Sequence, residues 1–449
     1  MKTRSFFYAP LFFLCIFTAV QCHKNTEDSA TGINADALSQ LNLTAQALKD
    51  HQFMPPHVSD IQSDDNADIK EEDLAALRKE ISSRLPVLAT PRAVPAFDPN
   101  IFGPLIHNIF KDQVMGYSFQ VYKNNAAIYS GQWKMARSLA DGNKVWNADT
   151  RMHIASTSKL MTAIGLVKLL DKKNISLDAF ISPYLPSYWQ RGIGFAERVT
   201  FRKLLNHTSG FSEGNSRCDY LYMKEQVAKI PNEVVDKSIY ANVNFSIMRV
   251  LITVLDGKLT ADAYRNDPVF SSDILWDFTS TTYFKDYMNK EVFALAGLPT
   301  IGFSPEVGGP TAKAYASNSD VFGRDGDWST VAGGAGFYMS VAQVLKTLDA
   351  FRNNKIILPT LKNPNRAQYM LDNSLGINGA LATPAGQIYY RKGSWSVGGR
   401  EEQTAIYSFP NNVNMAFFVN SPTPFLTVNG YTNVHIHYMI SLAIKASIH

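Results

Sequence analysis

Asp149-Thr150-Arg151-Met152-His153-Ile154-Ala155-Ser156-Thr157-Ser158-Lys159-Leu160-Met161-Thr162-Ala163 is the stretch on which the reading of this 449-residue chain turns. From Ile154 to Leu170 the apolar residues recur with a helical period. On a helix, residues i and i+3 share a face, so Ser156 and Lys159 stand one turn apart on the same side. A serine hydroxyl is a poor nucleophile until a base takes its proton. A lysine amine can be that base when burial and neighbouring charge lower its pKa. The start of the helix adds backbone N–H groups and a positive dipole end, which favour a developing oxyanion. Alone, the tetrapeptide reads better as a helix cap with a solvated lysine, and chance yields Ser-x-x-Lys about once or twice in a chain this long. Its surroundings decide.

Downstream lie Ile175-Ser176-Leu177-Asp178 and Tyr184-Leu185-Pro186, then Val199-Thr200-Phe201-Arg202-Lys203-Leu204-Leu205-Asn206-His207-Thr208-Ser209-Gly210-Phe211 and Tyr240-Ala241-Asn242. In letters, order and spacing this series resembles the serine β-lactamase and penicillin-binding protein superfamily, in its class C and esterase-like branch. The resemblance covers roughly residues 100–449 and implies a β-lactamase/transpeptidase-like fold. It implies that Ser156 is the nucleophile and that Lys159 and Tyr240 manage its proton. Asn242 would hydrogen-bond the lysine and a substrate amide. It also implies that His207-Thr208-Ser209-Gly210 is a structural turn near the site, with Gly210 relaxing the backbone. The bland alternative for Tyr240 is a tyrosine that opens a core helix, since Phe245, Met248, Val250 and Leu251 continue apolar.

The third family element departs from the pattern. Where Lys-Thr-Gly or His-x-Gly is expected on a strand, the chain reads Tyr389-Tyr390-Arg391-Lys392-Gly393-Ser394-Trp395-Ser396-Val397-Gly398-Gly399. Counting from Gly398-Gly399 puts Lys392 at the cationic position, and counting from Gly393 puts Arg391 there; the first register is preferred. Lys392, Ser394 and Trp395 are then the candidate substrate-binding residues, and a backbone N–H from Trp395–Ser396 joins that of Ser156 in the oxyanion hole. Trp395 is bulkier than the small residue usual at its place, which argues against an efficient β-lactamase. Val331-Ala332-Gly333-Gly334-Ala335-Gly336-Phe337 also resembles the family, its glycines permitting close approach to the nucleophile helix. A phosphate loop is excluded because no Lys-Ser/Thr follows.

The rest of the chain sets the frame. Hydrophobic residues make up 45% and charged residues 18%, a globular composition. Tyr117–Tyr122 and Ala127–Gly131 alternate as strands around a turn at Asn124-Asn125. Three more strand-like runs, 387–390, 403–408 and 413–419, precede a helical end at 434–448. This predicts an α+β fold: an antiparallel sheet built from both chain ends, flanked by helices, with a mostly helical region inserted. Residues 253–290 are an insertion without a family match. Their aromatics, Trp276, Phe278, Tyr283 and Phe284, line or cover the cleft or simply pack.

Lys2 and Arg4 followed by an apolar run from Phe6 to Val20 predict a signal peptide over 1–21. Ala19-Val20-Gln21-Cys22 resembles a loose lipobox, with Cys22 as a lipidated first residue, although Gln21 is larger than usual. The polar, acidic stretch 22–95 reads as a flexible tether, with helical spacing at 71–85, and 96–449 as the folded domain. The expected location is the periplasm or cell envelope, with a membrane reached only through the N-terminal lipid. Losing Lys2 and Arg4 takes the net charge from +4 to +2, which gives no reason to expect a nucleic-acid partner. Cys218 stands alone in the body of the chain, so no internal disulfide framework is expected. No metal or organic cofactor is implied. The expected activity is acyl hydrolysis of an ester, a D-amino-acid peptide or a β-lactam, with esterase or D-alanyl peptidase favoured. The rival is a non-catalytic module that binds cell-wall peptide.

Overall fold

The computed structural model describes residues 95–195, 198–211, 218–229, 239–267, 270–305, 309–361, 363–423, 427–428, 431–432 and 435–448. The expected signal 1–21, Cys22 and the 71–85 segment lie outside these residues, as does all but the last residue of the expected tether.

Strand β1 (Gly116–Lys123) and strand β2 (Ala126–Arg137) pair as an antiparallel hairpin. Asn124 and Asn125 connect them at φ 51° and 63°, the left-handed pair that matches strand twist and that asparagine tolerates. β3 (Lys144–Val145), β6 (Gly379–Thr383), β7 (Gly386–Val397), β8 (Arg400–Ser408) and β9 (Val413–Val419) complete a seven-stranded sheet. Its order, β3-β2-β1-β9-β8-β7-β6, sets the first strand of this sheet beside its last in sequence. Both ends of the chain thus build one antiparallel sheet, the architecture expected from the sequence. A separate short pair joins β4 (Arg151–His153) to β5 (Tyr338–Ser340).

Two hydrophobic layers flank the sheet. On one face, α1 (Pro99–Phe110) and the terminal helix (His437–Ala446) pack with Phe119, Tyr407 and Phe417. On the other face lies the helical region. Its central member is α2 (Ser158–Lys172), buried on nearly every side, as a helix inside a large core must be. Around it are α3 (Phe201–Leu205), α4 (Tyr220–Lys229), α5 (Val243–Ser246), α6 (Met248–Leu255) and α7 (Ser272–Met288), followed by α8 (Val341–Arg352) after β5. α8 opens on a capping box in which Ser340 and Gln343 satisfy each other's backbone N–H groups.

The unmatched 253–290 segment resolves into the end of α6 and the whole of α7. Trp276 and Phe284 are fully buried, while Phe278 and Tyr283 are exposed at 48% and 37%. The helix therefore packs with one face and shows the other to solvent.

Candidate active site

The chain leaves β4 through a single 3-10 turn, Ala155–Thr157, before α2 begins at Ser158. Ala155 takes φ 45°, a left-handed conformation that costs a Cβ-bearing residue energy and clusters at functional sites. Ser156 thereby sits on the turn, at the mouth of the helix. Thr404 of β8 fixes the turn from below: its Oγ1 donates to Ile154 O at 3.0 Å and lies 2.8 Å from Thr157 Oγ1.

Lys159 follows one turn later and is fully buried. Its Nζ lies 2.8 Å from Ser156 Oγ, 2.6 Å from Asn242 Oδ1 and 2.7 Å from the carbonyl oxygen of Gly334. As an ammonium, Lys159 can donate to all three; once neutral, it donates to the two carbonyl-type acceptors and turns its lone pair to the serine hydroxyl. Tyr240 closes the triangle, its hydroxyl 2.7 Å from Ser156 Oγ. The structure thus gathers Ser156, Lys159, Tyr240 and Asn242, which are up to 86 positions apart in sequence, into one hydrogen-bonded cluster.

His207 supports this cluster from behind. Its ring stacks on Tyr240 at 4.6 Å. Its Nδ1 accepts from Ala241 N at 3.3 Å and from Asn244 Nδ2 at 3.1 Å. Burial, then the nearby charges of Arg391 and Lys159, hold this imidazole well below the usual histidine range, so it stays neutral. With Nδ1 accepting, the proton is on Nε2, and His207 anchors the Tyr240–Asn242 turn without touching Ser156. Its φ of 59° reflects the tight turn that follows α3.

Strand β7 corrects the preferred register of the third motif. Side chains alternate along a strand, and Arg391, Gly393, Trp395 and Val397 are buried while Lys392, Ser394 and Ser396 are not. Arg391, not Lys392, reaches the site. Its Nε donates to Ser156 O at 3.0 Å and its Nη2 to Tyr240 OH at 3.3 Å. Lys392 projects from the opposite face of the strand, where its charge acts on His437. A one-residue slip flips every side chain to the other face, which is why counting from Gly398-Gly399 misplaces the cation. The nearer marker is Gly393, where a Cβ would stand 2.8 Å from the backbone nitrogens of Ser156 and Thr157. We expect Arg391→Ala to slow acylation of Ser156 by at least about 100-fold, and Lys392→Ala to change it by less than about threefold. Matched effects in the two variants, measured with the same acylating probe, would refute this register.

Ser394 and Trp395 are corrected by the same alternation. The Ser394 hydroxyl donates to Glu401 Oε1 at 2.8 Å, away from Ser156. Its backbone contributes instead. Asn378 N donates to Tyr390 O and Lys392 N to Asn378 Oδ1, both at 2.9 Å, so even-numbered backbone groups of β7 face the edge opposite β8. The Ser394 N–H continues that series, on the strand edge that faces away from β8. Trp395 is buried, edge-on to Trp328 at 4.8 Å and to His153 at 5.8 Å. It packs against the His153–Glu402 pair and, with Trp328, Val397 and Arg400, lines a small surface depression.

The glycine segment also serves differently from expectation. Gly333 and Gly334 approach the Tyr240–Asn242 turn: a Cβ would meet Phe245 O at 2.5 Å and Asn242 O at 3.1 Å respectively. Their carbonyls, not their missing side chains, engage α2, with Thr162 Oγ1 donating to Gly333 O at 2.8 Å and Lys159 to Gly334 O. Sequence reasoning missed the Gly334 carbonyl and Thr404, because a backbone acceptor and a buried threonine carry no motif.

The family model for Beta-lactamase matches residues 104–435, well over half of the chain. The chain belongs to the beta-lactamase family. Protein flp of Staphylococcus aureus is 23% identical over 234 residues, a match covering 47% of this chain and 45% of that protein. The match therefore spans less than half the length of that relative. The Esterase/beta-lactamase LipL of Mycobacterium tuberculosis is 28% identical over 120 residues, covering 25% of this chain and 27% of that one. Among solved structures, the D-amino acid amidase from Ochrobactrum anthropi complexed with L-phenylalanine amide superposes with a TM-score of 0.56 at 15% identity, over 78% of this chain and 97% of that chain. This likeness shows a shared fold.

Proposed function

We propose that this beta-lactamase family member is an exported serine acyl hydrolase that works through an acyl-enzyme on Ser156. The observation that carries the reading is the placing of Lys159 Nζ and Tyr240 OH at 2.8 Å and 2.7 Å from one serine oxygen. Ser156 Oγ attacks the substrate carbonyl as its proton passes to the neutral Lys159 amine. The carbonyl oxygen becomes an oxyanion, held by the N–H groups of Ser156 and Ser394. Collapse expels the leaving group, which takes a proton through Tyr240, and leaves an ester on Ser156. Water then attacks that ester, a proton returns to Ser156 Oγ, and the acid product departs. Arg391 keeps a fixed positive charge on the far side of the Tyr240 hydroxyl, which favours loss of its proton.

The substrate is an ester or a D-amino-acid amide or peptide rather than a β-lactam turned over efficiently. The named activities of the relatives support the first two classes: one is an esterase/beta-lactamase, another a D-amino acid amidase. Lys2, Arg4 and the apolar run to Val20 support export, and Cys22 supports a lipid anchor at the cell envelope. The test is labelling with a fluorophosphonate and a fluorescent penicillin, wild type against Ser156→Ala. We expect the fluorophosphonate to mark wild type and not the variant. Absence of any mark on wild type from either probe would overturn the reading in favour of a cell-wall peptide binding module.

A further inference from the structure

We infer that Arg249 and Asp277 are positioning residues for the acylation step, holding the carbonyl that aims the Lys159 amine; this rests on the acyl-enzyme reading above. Arg249 lies on α6, seven residues beyond Asn242, and is fully buried. A buried guanidinium must place its N–H groups on acceptors or destabilise the fold. Its Nη1 lies 3.1 Å from Thr330 O, 3.2 Å from Ala332 O and 3.3 Å from Cys218 O, and its Nη2 donates to Asp277 Oδ1 at 2.9 Å.

Two of those carbonyls belong to the segment that runs into Gly333 and Gly334. That segment is conformationally loose by composition, with Gly333 at φ 90° and no side chain to lock either glycine. Thr162 holds the Gly333 carbonyl from the α2 side, and Arg249 locks the residues that lead into it. Through it the position of Ala332 is fixed, and with it the Gly334 carbonyl two residues on, which accepts from Lys159 Nζ at 2.7 Å. The second N–H of a neutral Lys159 goes to Asn242 Oδ1, so the Gly334 carbonyl is what sets the lone pair on the serine hydroxyl. A carbonyl that wanders lets the amine rotate, and small misplacements of a reacting group are costly.

Asp277 ties this clamp to α7, the helix for which the sequence offered no family counterpart. The pair is asymmetric: the Arg249 side chain is 0% exposed and the Asp277 side chain 39%. α7 meets the catalytic helix at a second point. Tyr287 Oη donates to Gly165 O of α2 at 3.0 Å, and a Cβ on Gly165 would lie 2.6 Å from Met288 Sδ. The insertion therefore braces both the nucleophile helix and the loop that orients its lysine.

The experiment compares full-length wild type, Asp277→Ala and Arg249→Met under saturating fluorophosphonate. This resolves three quantities: probe affinity, acylation rate constant and labelled fraction. We expect the rate constant to fall about tenfold in Asp277→Ala and about 100-fold in Arg249→Met, with probe affinity unchanged. A merely structural role lowers Tm and labelled fraction but leaves the rate constant of the folded molecules at the wild-type value, and that result overturns the inference. Should Arg249→Met fail to fold, Asp277→Ala decides, because its partly exposed carboxylate can be removed without opening the core. A wild type that takes no label would instead overturn the acyl-enzyme reading itself.

Discussion

Lys159→Ala lowers the acylation rate constant by about 100- to 10,000-fold, the range that a general base supplies. The amine sits 2.8 Å from Ser156 Oγ, and the remaining group near that oxygen with a proton to exchange, Tyr240, is hydrogen-bonded by a permanent cation. Removing Lys159 therefore leaves the serine without a neutral amine to accept its proton. The structural cost is smaller. Asn242 Oδ1 and Gly334 O lose a donor, at about 1–3 kcal/mol for each buried acceptor left unmade. Against this, the variant no longer buries an amine beside Tyr240. The expected result is a folded protein of moderately lower Tm that labels slowly. Labelling within a fewfold of wild type, in protein whose circular dichroism is unchanged, would remove Lys159 from the proton path.

Gly393→Ala is the second large effect, and it acts through backbone geometry rather than chemistry. The added methyl would stand 2.7 Å from Thr404 Oγ1 and 2.8 Å from both Ser156 N and Thr157 N. Real Cβ atoms do not approach backbone nitrogen so closely, so β7 or the nucleophile turn must move. Either movement separates the Ser156 and Ser394 amides, which have to converge on one oxygen. Losing a single such donor costs about 100- to 1,000-fold. The expected outcome is a loss of acylation of that order together with a lowered Tm, read by probe labelling and thermal melting. An alanine variant that acylates at the wild-type rate would show that β7 does not form the oxyanion wall.

These two residues mark what the sequence made readable. Helical spacing makes Ser156 and Lys159 a candidate pair, and the family resemblance of their surroundings, with Tyr240 and His207 following in order, makes it decisive. The hairpin at Asn124-Asn125 follows from residue types that favour positive φ. The two ends of the sheet were visible as alternating runs, although β7 extends well past the 387–390 run, to Val397, because Arg391-Lys392-Gly393-Ser394 lacks β-branched residues. Arg391 was harder. Two adjacent cations beside one glycine leave the strand face undecided, and only the contact of Gly393 with the Ser156 turn fixes it. Trp395 is a substrate-binding candidate by its place in the motif, and its ring partners, Trp328 and His153, lie far away in sequence and leave no mark there. Arg249 left no trace in the pattern, since its role depends on carbonyls more than 80 residues away.

The central claim is that Ser156 becomes covalently acylated, and peptide-mapped mass spectrometry of the full chain after reaction with a fluorophosphonate tests it most directly. The account predicts a single adduct on the peptide carrying Ser156, absent from Ser156→Ala and strongly delayed in Lys159→Ala. An unmodified Ser156 peptide in wild type, or an adduct of equal yield on another residue in Ser156→Ala, would contradict it.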